Sequence, residues 1–133
     1  MTAHIEVHGE QAVRFIEDSY IRDRNRTLGE LIAAVDALRT HGQAETTVSR
    51  DRIKASFHLL IRQRTPLAEL VIEDFARWQD WSIAPKLMEI YAGGEQPWNN
   101  ALITGYLQAC PLSSASDFLK RASGDSKQTV FAR

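Results

Sequence analysis

Apolar and polar positions in the second half of the chain follow one arrangement that occurs twice, 31 residues apart. Residues 66–96 align with residues 97–127 without a gap. The identical positions are Pro66 and Pro97, Ile72 and Ile103, Ser82 and Ser113, Ala84 and Ala115, and Gly93 and Gly124. Further apolar pairs in phase are Leu67 and Trp98, Leu70 and Ala101, Val71 and Leu102, Phe75 and Tyr106, Trp81 and Leu112, Leu87 and Phe118, and Met88 and Leu119. A repeat of this length with two helical segments predicts stacked helix pairs.

Helical periodicity also covers the first half of the chain, where it predicts three helices and no strand. The first helix is expected to end near Arg22. Thr27 and Glu30 have the spacing of a capping box and begin the second helix, which Gly42 is expected to end. Ser49 is predicted to cap the third helix. The predicted buried stripes of the second and third helices are Leu28, Leu31, Ile32, Val35 and Leu38, then Ile53, Phe57, Leu60 and Ile61.

Prolines and small hydroxyl residues mark the four helices of the repeat. A helix tolerates proline in its first turn, because that N–H has no intrahelical partner, so we expect helices to begin at Pro66, near Pro85 and at Pro97. The helix from Pro66 is expected to run without a break to Trp78. Pro111 should end the sixth helix, since the residue before proline disfavours helical angles. The expected caps are Thr65 for the fourth helix, Ser82 for the fifth, and Ser113 or Ser114 for the seventh.

These elements predict a single all-α domain over residues 1–124, followed by a flexible tail at 125–133. An N-terminal helix would precede three antiparallel helix pairs, at about 27–64, 66–96 and 97–124. Because each pair can bury its apolar face against the next one, the predicted architecture is a short α-solenoid of about seven helices.

A proline that opens the first helix of a pair and an aspartate in the turn within it, as at Pro66 and Asp80, resemble HEAT-like repeats. The resemblance covers about 27–124, and its motifs are degenerate. The strings ARWQDWS at 76–82 and YLQACP at 106–111 are similar to strings in uncharacterised bacterial helical-repeat proteins. The resemblance implies a scaffold fold and assigns no activity to any residue.

Charge and composition limit the kinds of partner that the chain is expected to bind. The chain has 16 Lys and Arg residues against 17 Asp and Glu residues, a net charge of −1, so no global field attracts nucleic acid or an anionic membrane. No apolar run approaches the roughly 20 residues that span a bilayer. The first residues lack the basic and apolar regions of a secretory signal, which favours a cytoplasmic protein, with a piece of a longer chain as the alternative.

Residues that could bind a metal or act as a nucleophile are few. His4 and His8 have the spacing of a metal pair on a helix, but the sequence shows no clear set of further ligands. Cys110, the only cysteine, excludes an internal disulfide, and without a neighbouring base it is expected to be a buried, inert thiol. We therefore predict no metal site, no cofactor and no catalytic residue.

The acidic and aromatic candidates also favour structural roles. Glu73 and Asp74 are consecutive and would diverge by about 100° on a helix, so they cannot face each other as an acid–base pair. Asp80 is expected to accept backbone amides within its turn. The three tryptophans, Trp78, Trp81 and Trp98, are expected to fill space between helix pairs.

The functional prediction is a non-catalytic scaffold that presents a curved helical surface to another protein or peptide. The densest basic segment lies on the third helix, where an acidic or phosphate-bearing partner could bind. The predicted contact residues are Arg50, Lys54, Arg62, Lys86, Glu89 and Lys120. Two alternatives remain open: a HEAT-like nucleic-acid-binding protein or DNA-repair glycosylase-like enzyme, and a structural segment of a longer repeat array.

Overall fold

The computed structural model describes residues 9–44 and 47–131, with side chains as far as residue 124, and the secondary structure of these ranges is helical, with short turns and loops between the helices. The α-helices of these ranges are α1 (Glu10–Ile16), α2 (Leu28–Ala44), α3 (Arg50–Gln63), α4 (Ile72–Arg77), α5 (Ala84–Gly93), α6 (Asn100–Ala109) and α7 (Ser113–Phe131). A π-helical turn (Glu17–Ile21) follows α1, and 3-10 turns (Thr65–Leu70 and Pro97–Asn99) precede α4 and α6. The predicted all-α fold class is confirmed. None of these helices is both long and apolar enough to cross a bilayer.

The helices form two compact units, Met1–Val71 and Ile72–Arg133. In the first unit α2 packs on α3, and the π-helical turn contacts both helices. In the second unit α6 is the central helix, because it packs on α4, α5 and α7. The boundary between the units lies inside the predicted pair 66–96.

Two capping signals act as the sequence predicts, and a glycine ends α5. The Glu30 N–H donates to Thr27 Oγ1 at 3.1 Å, and the Thr27 N–H donates to Glu30 Oε1 at 3.1 Å, which completes the capping box. The side chain of Ser49 accepts a hydrogen bond from the Arg52 N–H at 3.2 Å. Gly94 ends α5 with a φ of 69°, a left-handed conformation that glycine adopts without steric cost.

The predicted fourth helix is wrong in its cap and in its continuity. Thr65 does not cap it, because Thr65 Oγ1 donates back to the carbonyl of Ile61 at 2.7 Å. The last carbonyls of a helix lack intrahelical partners, and this hydroxyl satisfies one of them at the end of α3. Val71, with a φ of −128°, then separates the 3-10 turn from α4, so the chain from Pro66 to Trp78 is not one helix.

The cap predicted for the fifth helix is also wrong. Ile83 occupies the cap position of α5 and makes no side-chain cap bond. The N–H of Ser82 instead donates to Asp80 Oδ1 at 3.0 Å, within the turn before the helix. This bond confirms the predicted role of Asp80 as an acceptor for a turn amide. Pro85 lies in the first turn of α5, as expected.

The start and the length of the last helix differ from the prediction. The carbonyl of Leu112 accepts the N–H of Ser116 at 3.4 Å, so Leu112 occupies the cap position. Ser113 is the first helical residue, and neither Ser113 nor Ser114 caps the helix. The backbone of α7 remains helical as far as Phe131.

The predicted stripe of α2 is confirmed at Leu31, Val35 and Leu38, which are buried, and is wrong at its other two positions. Leu28 and Ile32 are 54% and 39% exposed, whereas Ala34 and Ala37 are buried. Packing against α3 and the π-helical turn buries the side of α2 that carries the small residues Ala34 and Ala37. Helical periodicity alone cannot show on which side of the central stripe the buried face continues. The helix also continues past Gly42 to Ala44. The predicted stripe of α3 is confirmed at Ile53, Phe57, Leu60 and Ile61, all of which are buried.

Burial agrees between the two copies of the repeat only at some aligned positions. The pairs in which both residues are buried are Ala68 and Asn99, Ile72 and Ile103, Phe75 and Tyr106, and Ala84 and Ala115. Leu70 is half-buried whereas Ala101 is exposed, so the expectation that aligned residues are equally buried is wrong at this pair. The 3-10 turn before α4 spans six residues and the turn before α6 spans three. Because a 3-10 helix advances about 120° per residue and an α-helix about 100°, side chains in these segments turn out of register.

The tryptophans agree only in part with the prediction that they fill space between helix pairs. Trp78 and Trp81 are half-buried, and the Trp81 ring meets the Tyr106 ring edge-on at 5.2 Å between centroids. Trp98 is 52% exposed, so the prediction that it fills buried space is wrong. It lies in the 3-10 turn, one residue before the buried Asn99.

Replacing Gln79 with glycine is expected to raise the free energy of unfolding by about 0.5 kcal/mol. Gln79 follows α4 with a φ of 53°, and the Asp80 N–H donates to the Phe75 carbonyl at 2.9 Å, a C-terminal motif that usually contains glycine. Urea denaturation measures the change. The control is Gln63→Gly at the helical end of α3, where the same substitution should cost about 1 kcal/mol. A loss of stability in both variants would contradict the expectation.

Candidate functional site

Three of the predicted contact residues lie on α3 in the first unit, and two of them contribute to local structure. The Arg50 guanidinium donates to the carbonyls of Gly42 and Gln43 at 2.8 and 3.2 Å, in the last turn of α2. Lys54 Nζ lies 3.7 Å from Asp51 Oδ1. Arg62 is exposed near the end of α3. Arg50 therefore serves the end of α2, and only Arg62 presents its side chain fully to solvent.

The other three predicted contacts lie in the second unit and do not form one group. Lys86 Nζ lies 3.7 Å from Glu89 Oε1 on the surface of α5. Lys120 is exposed on α7, where it lines a cleft that neither Lys86 nor Glu89 lines. Of the predicted residues in this unit, Lys120 is the one that lines this cleft.

A partly buried charged cluster joins α3 to α1 and to the π-helical turn of the first unit. Arg52 donates two parallel hydrogen bonds to Glu17, each 2.8 Å long, and its Nε contacts both carboxylate oxygens of Glu10 at 2.8 and 2.9 Å. The hydroxyl of Ser56 donates to Glu17 Oε2 at 2.7 Å. Glu17 is 8% exposed and Ser56 is fully buried. A two-pronged arginine–carboxylate pair of this geometry fixes the orientation of both side chains.

The protonation of this cluster follows from its contacts. Burial alone would raise the pKa of Glu17, but hydrogen bonds from Arg52 and Ser56 and the charges of Arg52 and Arg22 outweigh it, and the pKa lies below its ordinary value. The hydrogen bond to Glu17 raises the pKa of Arg52 above its ordinary value despite partial burial. Both groups are therefore charged at neutral pH and engaged with each other. A carboxylate held in this state serves stability and is a poor general base.

The remaining titratable candidates are also engaged in the fold. Asp74 is buried and accepts a hydrogen bond from Arg77 at 3.0 Å. Glu73 is exposed, so the two neighbouring carboxylates diverge as expected. Cys110 is buried, as predicted. Among the described residues no group of three His, Cys, Asp or Glu side chains could hold a metal ion, and the pair at His4 and His8 lies outside those residues.

The second unit has a cleft of about 650 Å³ bordered by α5, α6 and α7. We call it the polar cleft. Its volume lies within the range of about 300–1,000 Å³ that is typical of ligand pockets. The polar cleft is lined by Tyr91, Thr104, Gln108, Leu119, Lys120, Ala122, Ser123 and Gly124.

The polar side chains of the polar cleft are available for an external partner. Thr104 and Gln108 lie one turn apart on α6, and Lys120 and Ser123 lie one turn apart on α7. None of these four side chains makes a hydrogen bond or ion pair with another side chain or backbone group of the described chain, and neither does the Tyr91 hydroxyl. This contrasts with the Arg52 cluster, where each charged group already has partners.

Aromatic packing supports one wall of the polar cleft. The Tyr91 ring on α5 meets the Phe118 ring on α7 edge-on, with 5.6 Å between centroids and an interplanar angle of 84°. Such an edge-to-face pair stabilises a defined ring orientation. Tyr91 therefore presents a fixed apolar surface beside the polar groups of α6 and α7.

A second, smaller groove of about 290 Å³ lies between α4 and α6. Its lining is mostly apolar and rich in small residues: Ile72, Glu73, Ala76, Arg77, Ala101, Leu102, Gly105 and Tyr106. Tyr106 forms part of its floor, since its side chain is buried and its hydroxyl donates to the carbonyl of Asp80 at 2.8 Å. Glu73 and Arg77 provide its charged groups.

Sequence reasoning missed most of the polar cleft. Lys120 was predicted as a contact, but no contact role was predicted for Tyr91, Thr104, Gln108 or Ser123. One signal was present: Thr104 and Gln108 are spaced four residues apart in an otherwise apolar helix, so they share one face. The Arg52 cluster was missed because its members are 35 to 42 residues apart.

No family model, curated protein or solved structure matches this chain. The resemblance to HEAT-like repeats therefore stays an expectation from the sequence, and the residues of the site have to be interpreted from their own chemistry.

Proposed function

We propose that this chain is a non-catalytic protein-interaction module whose contact site is the polar cleft of the second unit. The observation that carries the proposal is that five polar side chains line one cleft without a hydrogen-bond or ion-pair partner in the described part of the chain. An aromatic ring surrounded by hydrogen-bonding groups is a feature of protein-binding sites.

The chemistry of the carboxylates favours binding over catalysis. A general base needs a pKa near the working pH and a free path to the substrate. Glu17 has a lowered pKa and is covered by Arg52 and Ser56, while Asp74 is buried against Arg77. The side chain of Asp80 accepts a backbone amide in its turn. These carboxylates therefore have structural partners, and none of them lines the polar cleft.

We further propose that the helices form a short α-solenoid of HEAT-like pairs, with α4 and α5 as one pair and α6 and α7 as the next. The support is the 31-residue spacing together with the shared burial of Ile72 with Ile103 and of Phe75 with Tyr106. In a solenoid each pair contributes equivalent positions to a continuous core, and helices of successive pairs create an extended binding surface. A partner in the polar cleft would contact both helices of the last pair.

Substituting Gln108 with tryptophan is expected to abolish capture of the specific partner, because the bulky side chain fills the polar cleft from α6. Gln108 is exposed, so the substitution should leave the helix intact. The measurement is affinity capture from an extract of the source cells on immobilised chain, with quantification of each captured protein by mass spectrometry.

The matched control is Ala92→Trp, at an exposed position of α5 outside the cleft. A protein lost with Gln108→Trp and retained with Ala92→Trp supports the proposal. Identical capture by the wild type and by both variants, or no capture at all, would reject the polar cleft as the contact site.

A further inference from the structure

We infer that the polar cleft binds an extended acidic segment of a partner protein, an inference that rests on the proposed function and specifies its ligand. Lys120 is the only charged residue among those that line the polar cleft. Its Nζ has no carboxylate within 4.0 Å in the described chain. A cation without a counter-ion in a concave site favours an anionic ligand group, which it can bind without first losing another ion pair.

The spacing of the neutral polar groups favours an extended backbone. Thr104 and Gln108 are four residues apart on α6, which places them about 6 Å apart along the helix axis. Alternate residues of an extended chain repeat at nearly the same distance, about 6.5–7 Å. The Gln108 amide can both donate and accept, so it can bind a peptide N–H and a peptide carbonyl at once. No hydrogen bond within the described chain has to break for this contact to form.

The apolar part of the polar cleft places a second requirement on the ligand. Tyr91, Leu119 and Ala122 line it beside the polar groups, and the contact with Phe118 fixes the Tyr91 ring. An aromatic ring that is already ordered loses little conformational freedom on binding. The ligand should therefore carry an apolar side chain close to its acidic one, so that Lys120 and the Tyr91 wall are occupied together.

The cleft is better suited to a peptide carboxylate than to a nucleic-acid backbone. Binding to nucleic acid depends on neutralising several phosphates, and each contact requires its own lysine or arginine. The polar cleft offers one cation among eight lining residues. A single lysine beside hydroxyl and amide groups matches one acidic side chain and the peptide groups next to it.

The test is selection of a random hexapeptide library on the whole chain, followed by fluorescence anisotropy with the selected peptides. The expected result is enrichment of Asp or Glu together with an apolar residue one or two positions away. For a selected acidic peptide, Lys120→Glu should weaken binding about tenfold or more, since a charge-assisted hydrogen bond is replaced by repulsion. Replacing the peptide's Glu with Lys should restore part of the affinity of the Lys120→Glu variant.

The matched control is Arg121→Glu, which makes the same charge reversal at the next residue of α7 but outside the lining of the polar cleft. It should leave the affinity within about twofold at 0.15 M salt, where distant surface charges are screened. Equal loss in both variants, absence of acidic enrichment, or equal binding of acidic and neutral peptides would overturn the inference. If partner capture still depended on Gln108 in that case, the proposed function would stand while its acidic ligand would not.

Discussion

Replacing Arg52 with methionine is expected to lower the free energy of unfolding by about 3 kcal/mol. Methionine keeps most of the length of the side chain but cannot neutralise Glu17, which would remain a buried carboxylate with only Ser56 as a hydrogen-bond donor. The loss comes mainly from this uncompensated charge. Urea denaturation gives the magnitude, and hydrogen exchange should show faster opening of α1 and α3, the helices that the cluster joins.

Two further variants separate the charge effect from lost packing. Arg62→Met removes an exposed arginine from the same helix and should change stability by less than about 0.5 kcal/mol. The double variant Arg52→Met with Glu17→Leu removes both charges of the pair and should recover most of the loss, since apolar pairs of similar volume often replace buried ion pairs without cost. A single variant as stable as the wild type would show that the cluster contributes nothing.

The same cluster predicts how the difference in stability between the wild type and Arg52→Met depends on pH. In the wild type the pKa of Glu17 is lowered in the folded state, so its contribution is full above the unfolded pKa, about 4.3, and is lost as the pH falls through the folded value. In Arg52→Met, burial without the arginine should raise that pKa, so protonation stabilises the folded variant as the pH falls. The difference in stability between wild type and variant should therefore shrink towards pH 3. A constant difference from pH 7 to pH 3 would exclude the carboxylate as its origin.

Truncating Tyr106 to alanine is expected to cost about 3–5 kcal/mol. Its side chain is among the largest that are fully buried, it lies on the central helix of the second unit, and it packs edge-on against Trp81. Its loss would leave a cavity beside α4 and remove the hydrogen bond from its hydroxyl to the Asp80 carbonyl. The measurement is urea denaturation, with hydrogen exchange to locate the opening in α4 and α6.

Tyr106→Phe is the control that keeps the ring and removes only the hydroxyl. It should cost about 1 kcal/mol, the usual net contribution of one hydrogen bond, with some excess because the carbonyl of Asp80 loses its donor. Burial raises the pKa of the Tyr106 hydroxyl, so the group stays protonated and remains a donor at neutral pH. Equal losses in the phenylalanine and alanine variants would show that the hydroxyl, and not the ring, stabilises this part of the core.

Much of the secondary structure could be predicted because its signals act within one helical turn. The capping box at Thr27 and Glu30, the cap at Ser49 and the left-handed Gly94 all depend on neighbouring residues alone. The predictions were wrong where a side chain had two possible hydrogen-bond partners nearby in the chain. The hydroxyl of Thr65 could cap the next helix or serve the end of the previous one, and sequence contains no measure of which option the turn allows.

The candidate site was less predictable because three helices build it. Lys120 is one of many surface lysines and arginines in the sequence, and it becomes distinctive only where Tyr91 and Gln108 lie beside it in a cleft. Conversely, Arg50 looked like a free surface cation until its bonds to the carbonyls at the end of α2 were visible. The role of each charged residue depends on the residues that surround it in the folded chain.

By itself the sequence determined that the described part of the chain is all helical, where α2 and α3 begin, and that the stripe of α3 is buried. These properties follow from backbone sterics, local capping and apolar periodicity, which act over a few residues. Only the tertiary structure decided that Leu28 and Ile32 of α2 face outward, that Arg52 holds Glu17, and that α5, α6 and α7 leave an open cleft whose polar groups have no hydrogen-bond partner among the described residues. Burial and ion pairing depend on residues far apart in the chain, whose distances helical periodicity does not specify.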